Sequence, residues 1–311
     1  MAIVLAYCAC ALVWGTTWLA IRACIAPGGY PSVGAAALRF SLAGAVLLAL
    51  WVSGMVRPGP RTRRELGWTC LAGALDAGGY GLVYCAVERI SGGLAAVLFG
   101  SAPLMMAAVA WLTRTERASP RAVVGAALAV AGISLIFADR LEVSASQALG
   151  VGLALGSVVL SCLGSIVVKR RCGGQHPLAL AAVFLTASSA VLWTLSAAVD
   201  TRPLPWPPPP GPTAALVYLA LVGSVLVFGC YFFLLARVRL MTISTLALVQ
   251  PLIALALDAV WEVQIRLSAR SYVGAALVLG GLGLALFARA PLYRRPGPAL
   301  VLDRDAVAAS R

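Results

Sequence analysis

The chain of 311 residues is 61% hydrophobic and only 11% charged, with a mean hydropathy of +0.94. Soluble domains carry about a quarter charged residues, so this composition excludes a water-soluble globular fold. The net charge of +13 comes from arginines in short clusters between apolar runs, which argues against a nucleic-acid partner and favours a lipid bilayer.

Ten apolar runs follow one another along the chain, separated by charged or Pro/Gly-rich breaks. A helix needs roughly 20 apolar residues to cross the hydrocarbon core of a bilayer. The first run could be a signal peptide, but it lacks a basic start and contains Trp14 and Trp18. We therefore predict an all-α integral membrane protein with ten transmembrane helices, at about 3–22, 32–54, 66–86, 91–112, 121–138, 147–168, 177–198, 213–235, 241–261 and 271–288.

Lys and Arg are unevenly distributed between the loops that join these runs. Most of them fall in the loops that share a side with the N-terminus, at 57–64, 114–121, 169–171, 237–239 and 289–295. Under the positive-inside rule, both termini are predicted to be cytoplasmic.

The two halves of the chain resemble each other at a nearly constant offset. Residues 117–128 align with residues 266–277, which lie 149 positions later. Because each half holds an odd number of spans, the halves must enter the membrane in opposite senses. We therefore predict two inverted five-helix repeats at 1–145 and 146–290, followed by a disordered cytoplasmic tail at 291–311. Inverted repeats are typical of alternating-access carriers.

Several motifs make a family resemblance specific. The stretch Trp14-Gly15-Thr16-Thr17-Trp18-Leu19-Ala20-Ile21-Arg22 and the later Ala36-Ala37-Leu38-Arg39-Phe40 resemble the first repeat of the EamA family in the drug/metabolite transporter superfamily. Gly223-Ser224, Pro251 and Gly274-Ala275-Ala276-Leu277 resemble its second repeat. The resemblance implies a bacterial inner-membrane carrier with a central cavity, usually an exporter of metabolites or drugs.

Ionisable residues inside apolar spans are the strongest indicators of a functional site, because a charge in lipid needs a cavity or a partner. Arg39, Asp76 and Asp258 are the three clear cases. Asp76 could face the cavity and exchange protons, with Asp258 as a second coupling residue, or it could pair structurally with Arg39. Arg39 could equally lock two spans together or bind a substrate carboxylate through its paired donors.

Aromatic, hydroxyl and amide side chains in the spans could either pack helices together or line a substrate pathway. In the second case, aromatic faces would bind an organic cation or ring, and the polar groups would bind polar parts of the substrate. Pro103 and Pro251 are expected to be helix kinks. The predicted substrate pathway comprises Arg39 and Asp76 together with Trp14, Thr16, Thr17, Trp18, Tyr80, Tyr84 and Gln250.

The predicted function is secondary-active export of a small metabolite or drug, amino-acid-like or amphipathic, by alternating access and with proton coupling. An intramembrane enzyme would show paired Asp-rich motifs or an HExxH site, and neither is present. A channel or a scaffold is the other alternative; the internal duplication favours a carrier. We expect no metal and no cofactor, and a monomer or a homodimer that takes a small-molecule substrate.

Overall fold

The computed structural model describes residues 1–90, 95, 98–116, 119–137, 145–250, 252–253 and 269–286. Within these residues the regular secondary structure is helical and contains no strand. Each predicted span overlaps one helix. In chain order the helices are α1 (Ala2–Ile25), α2 (Ser32–Val52), α3 (Arg63–Val87), α4 (Ala102–Leu112), α5 (Pro120–Phe137), α6 (Ala145–Arg171), α7 (Pro177–Val199), α8 (Pro210–Arg237), α9 (Leu240–Gln250) and α10 (Ala269–Leu286).

Six of these helices, α1, α2, α3, α6, α7 and α8, are long and apolar enough to cross a membrane. Their outer surfaces have the character of a lipid-facing surface. On α1, Leu5, Leu12 and Leu19 recur every seven residues and are more than half exposed, whereas Cys10 and Thr17 on the opposite face are buried. A helix with apolar residues on both faces, only one of them buried in protein, is what a bilayer environment requires.

The fourth span is interrupted where the sequence suggests one continuous apolar run over 91–112. Residues 98–99 are helical, a turn follows at 100–101, and α4 begins at Ala102. Pro103 lies in the first turn of α4, where its missing amide hydrogen costs no helical hydrogen bond. The interruption lies directly before Pro103, and the kink predicted at Pro103 stays a prediction.

The ninth span is also less regular than predicted. Helix α9 begins at Leu240 and is interrupted by a turn at Thr245, so its first segment, Leu240–Ser244, is only 5 residues long. Pro251, the second predicted kink, lies outside the described residues, as do Asp258 and the tail at 291–311. Gln250 is the last residue of α9.

Helices from the two halves of the chain pack against each other throughout the bundle. Helix α1 packs on α8, α2 on α7, α3 on α6, α4 on α9 and α5 on α10. Small residues make these contacts close: Ala35, Ala36 and Ala37 of α2 are fully buried. Close backbone approach is how membrane helices associate, because burying apolar surface gains little in lipid.

Hydrogen bonds between loops place several arginine clusters at one end of the bundle. The amide of His176 donates to the carbonyl of Pro58 at 2.7 Å, which joins the loop after α2 to the loop after α6. Arg170 donates to the carbonyl of Thr113 at 2.9 Å, and Lys169 donates to the carbonyl of Leu235 at 2.8 Å. We call this end, which holds the loops at 57–64, 113–116, 169–176 and 237–239, the arginine-rich end.

At the opposite end, Asp200 joins α7 to α2. One carboxylate oxygen of Asp200 accepts from the amide of Gly34 at 2.7 Å, and the other accepts from the amide of Val33 at 3.3 Å. The first turn of a helix has amides without intrahelical partners, so this contact caps α2 with a residue from the other half of the chain.

Candidate functional site

A cavity of about 150 Å³ lies in the middle of the bundle. Six helices contribute to its wall: α1, α3, α4, α6, α8 and α9, with single contributions from α2 and α7. Among the described residues its lining contains one carboxylate, one guanidinium and several hydroxyl and amide side chains in a mainly apolar and aromatic wall. The residues of the wall that carry the arguments below are Trp14, Thr17, Trp18, Arg39, Asp76, Tyr80, Met106, Ser161, Cys162, Ser165, Val168, Phe228, Tyr231, Ile243 and Gln250.

All but two of the predicted pathway residues line this cavity. Thr16 lies on another side of α1, where its hydroxyl is 2.6 Å from the hydroxyl of Tyr218 on α8. Tyr84 is fully buried behind the wall, beside Arg39. The structure does not place these two residues in the cavity wall, and their contacts agree with the alternative of helix packing.

Asp76 on α3 lines the cavity, and one of its carboxylate oxygens is buried with no hydrogen-bond partner among the described residues. Its side chain is 8% exposed. The hydroxyl of Ser161 on α6 donates to Oδ1 at 3.4 Å, which is a long hydrogen bond, and Oδ2 has no partner within the described structure. A buried carboxylate oxygen without a partner is costly, so a proton or a cationic group of a ligand would stabilise it there.

Arg39 on α2 is fully buried and is anchored to α8. Its Nε donates to the hydroxyl of Ser224 at 2.8 Å, and its Nη2 donates to the carbonyl of Gly223 at 2.9 Å. Both acceptors lie in a π-helical segment of α8, Leu221–Leu226. A π-helical turn disturbs the regular backbone pairing of an α-helix, and such turns are common at functional sites. The guanidinium also lies 5.3 Å from the ring centroid of Tyr80.

Arg39 and Asp76 both line the cavity, but different helices hold their side chains. Hydrogen bonds anchor Arg39 to α8 and Asp76 to α6. Arg39 also lies beside Tyr84 on α3, the helix that carries Asp76. The two opposite charges stand on the same wall, and the hypothesis of a structural pair between them stays open beside that of a substrate site.

Aromatic rings form much of the remaining wall. Trp14 lies 5.2 Å from Tyr231 and 6.2 Å from Phe228, measured between ring centroids. Trp18 donates from its indole nitrogen to Oε1 of Gln250 at 3.0 Å, which ties α1 to α9 across the cavity. Aromatic faces next to a carboxylate form an environment suited to an organic cation.

Sequence reasoning missed the contribution of α6 and α8 to this wall. Ser161 and Ser165 stand one turn apart on α6, and the hydroxyl of Ser165 lies 2.6 Å from that of Tyr231. The spacing of two serines by four residues in an apolar run was a usable signal, because it places both hydroxyls on one helix face. Phe228 and Tyr231 gave no such signal, since aromatic residues are common anywhere in a membrane helix.

The described residues give little support for a metal site. Among them, no group of three His, Cys, Asp or Glu side chains is placed to hold a metal ion. Asp258, the second predicted coupling residue, lies outside the described part of the chain, so its role stays a prediction.

Long apolar helices around a buried cavity are the arrangement of a multi-pass membrane protein. Comparison with known families makes the class specific: the model of the EamA-like transporter family matches residues 1–138 and 148–287. The chain belongs to this family. Its family and the names of its relatives indicate a membrane transporter rather than an enzyme.

Individual relatives agree with this assignment. The chain is 28% identical to the uncharacterized transporter YwfM of Bacillus subtilis, over 93% of this chain and 94% of the relative. It is 22% identical to the probable amino-acid metabolite efflux pump of Escherichia coli, over 89% and 92% of the two chains. A solved crystal structure at 22% identity superposes with a TM-score of 0.72 and covers 91% of this chain and 96% of the other, which shows a shared fold.

Proposed function

We propose that the protein is a secondary-active carrier that exports a small amine-bearing metabolite or drug across the bacterial inner membrane. In this proposal ten helices form two inverted five-helix repeats, and the central cavity opens alternately to each side. The observation that carries the proposal is Asp76, a buried carboxylate in the wall of an aromatic cavity between the two halves of the chain, with one oxygen that has no hydrogen-bond partner in the described part of the chain.

The packing pattern supports the inverted repeat. A two-fold relation between the halves exchanges each helix with the helix five places later. Under this exchange the pairs α2/α7, α4/α9 and α5/α10 map onto themselves, and α1/α8 maps onto α3/α6. All five pairs are in contact. In an arbitrary helix bundle, the helices in contact would not be expected to map onto one another under such an exchange.

Individual glycines support the same relation at atomic detail. A Cβ added to Gly132 of α5 would lie 2.5 Å from the carbonyl oxygen of Gly274 on α10, and a Cβ added to Gly281 of α10 would lie 2.4 Å from that of Gly125 on α5. Gly125 and Gly132 are each 149 positions before Gly274 and Gly281. The contact therefore occurs twice, with the roles of the helices exchanged.

The arginine-rich end supports a cytoplasmic location for both termini. Four separate basic loops are gathered at one end of the bundle, which is the asymmetry that the positive-inside rule describes. We assign this end to the cytoplasm.

The substrate class follows from the charges and rings of the cavity. Asp76 would bind an ammonium group, and the rings of Trp14, Tyr80 and Tyr231 would contact the cation and an aromatic or apolar group. The guanidinium of Arg39, already donating to α8, makes the cavity compatible with a zwitterion. The name of the Escherichia coli relative, a probable amino-acid metabolite efflux pump, fits this class of substrate.

Proton coupling follows from the same carboxylate. Because Asp76 has one oxygen without a partner, a proton and a substrate ammonium group would compete for it. The site opens alternately to each side and holds one of the two cations at a time. Each opening therefore exchanges a proton for a substrate molecule, which is antiport. A proton entering from outside would thus drive export.

The test uses three compounds that share one benzene ring and differ in fixed charge: phenyltrimethylammonium, phenylalanine and benzenesulfonate. Purified protein in liposomes with an imposed pH gradient should transport the cation and the zwitterion but not the anion. Asp76→Asn should abolish transport of both, whereas Glu65→Gln, at a half-exposed position far from the cavity, should not. Transport of benzenesulfonate, or unchanged transport in a folded Asp76→Asn variant, would refute the assignment of the site.

A further inference from the structure

Two interactions at the arginine-rich end join the two halves of the chain, and a third beside them joins two helices of the second half. The carboxylate of Glu116, in the loop after α4, accepts from the amide of Leu240 at 3.0 Å for one oxygen and 3.3 Å for the other. Arg170 donates to the carbonyl of Thr113 at 2.9 Å. Lys169 donates to the carbonyls of Leu235 and Val238.

The contact of Glu116 supplies a cap that α9 lacks. Arg239 precedes the first helical residue, and its side chain makes no capping hydrogen bond to α9. The exposed amides and the positive end of the helix dipole favour a negatively charged acceptor. Here the acceptor comes from the other half of the chain, so capping of α9 requires α4 and α9 to stay together at this end.

These contacts lie directly beside the wall of the cavity. Val168, the residue before Lys169, lines the cavity, and Ile243 lines it about one turn after Leu240. Met106 of α4 completes the apolar wall at this end, and all three side chains are buried. Separation of α4 from α9 would remove Met106 from the other two and open the cavity toward the arginine-rich end.

We propose that Glu116, Thr113, Arg170 and the amide of Leu240 form a latch that keeps the cavity closed at the arginine-rich end. The latch releases when the carrier opens toward that side. This inference rests on the proposed alternating access, but it concerns a different set of residues from the substrate site. Glu116 acts through the position of α9 and does not contact the substrate.

The cavity supplies its own reporter of opening, because the thiol of Cys162 lines it and is buried. An impermeant, negatively charged thiosulfonate reagent is applied to inside-out membrane vesicles, and modification is followed on the peptide that contains Cys162. Glu116→Ala removes the acceptor and should raise the modification rate about tenfold, equivalent to about 1.4 kcal/mol, the size of one helix cap.

Two matched variants separate a latch from a general loss of structure. Glu116→Gln keeps an oxygen that can accept from Leu240, so its rate should stay within about twofold of the wild type. Glu65→Ala removes a half-exposed glutamate at the same end whose carboxylate accepts from the amide of Arg61, within its own helix start, and it should also leave the rate unchanged.

A second variant keeps the proposal testable if Glu116→Ala does not fold. Arg170→Met removes the contact with Thr113 from the other half of the chain and should raise the rate in the same direction. A wild-type rate in folded Glu116→Ala, or in Arg170→Met when Glu116→Ala cannot be studied, would overturn the latch. The labelling assay needs no substrate, so a wild-type labelling rate would contradict the latch without contradicting the carrier function. Conversely, an absence of flux for every compound would contradict the carrier function without changing the labelling result.

Discussion

Replacing Gly132 or Gly281 with alanine should destabilise the protein, whereas replacing Gly280 or Gly283 should not. A Cβ at Gly132 or Gly281 would lie within 2.5 Å of a backbone oxygen of the facing helix, a distance that forces α5 and α10 apart. A Cβ at Gly280 or Gly283 would meet no atom within 4 Å. The four substitutions are chemically identical, so differences between them report the close contact.

The expected size follows from two opposing contributions. Forcing a methyl group into a packed interface costs typically about 1–3 kcal/mol. Alanine gains about 0.5–1 kcal/mol over glycine through helix propensity, which should leave Gly280→Ala and Gly283→Ala neutral or slightly stabilised. The helix-propensity gain is common to all four variants, so with about 2–4 °C per kcal/mol Gly132→Ala and Gly281→Ala should each unfold roughly 2–12 °C lower than Gly280→Ala and Gly283→Ala.

The assay is thermal unfolding of the purified protein in detergent, followed by tryptophan fluorescence. Gly132 and Gly281 occupy equivalent positions under the two-fold relation. The decreases in unfolding temperature of the two alanine variants should therefore agree within about a factor of two. A loss at only one of the two positions would contradict the symmetric contact. Equal stability of all four variants would refute the close packing itself.

Two further predictions follow from side chains outside that interface. Ser224→Ala removes an acceptor of the buried Arg39 and should lower stability by about 1–3 kcal/mol, seen as a lower unfolding temperature; an unchanged temperature would show that the π-helical segment does not anchor Arg39. Burial raises the pKa of the Glu116 carboxyl, against the opposing effects of Lys169, the Leu240 amide and Arg239, so the closed latch binds a proton more tightly than a water-exposed glutamate. The part of the latch's stability that depends on this proton is therefore complete below the ordinary glutamate pKa of about 4.3 and is lost as pH rises through the raised value, while the contact with Leu240 remains. The modification rate of the cavity cysteine in wild type, divided by that in Glu116→Gln, should increase with pH in this window, and a constant ratio would contradict the linkage.

The sequence was sufficient to predict the spans that are long and regular. Uninterrupted apolar runs with basic ends identify α2, α6 and α7 to within a few residues. In lipid the backbone amides and carbonyls have no water to bind, so an apolar run of this length must form a helix. The break before α4 was not predictable from hydropathy, since Gly100 and Ser101 are as compatible with an apolar run as with a turn. Pro103 was visible, but a proline starts a helix as readily as it kinks one.

The site was predictable only where side-chain chemistry marked it. A charge inside a span is rare enough to locate Arg39 and Asp76 in the cavity wall. The partner of Arg39 was not predictable, because Gly223 accepts through its backbone carbonyl and no sequence pattern marks a π-helical segment. The latch was hidden for a similar reason: Glu116 binds the backbone of Leu240, 124 residues away in the chain.

The most direct test of the central claim is counterflow in proteoliposomes loaded with unlabelled phenylalanine and diluted into labelled phenylalanine. A carrier whose single cavity opens alternately to each side should accumulate label transiently above equilibrium, and the initial rate should saturate with concentration. Asp76→Asn should show neither behaviour. A flux that rises linearly with concentration and is not stimulated by phenylalanine on the other side would show a pore, and alternating access would then be wrong.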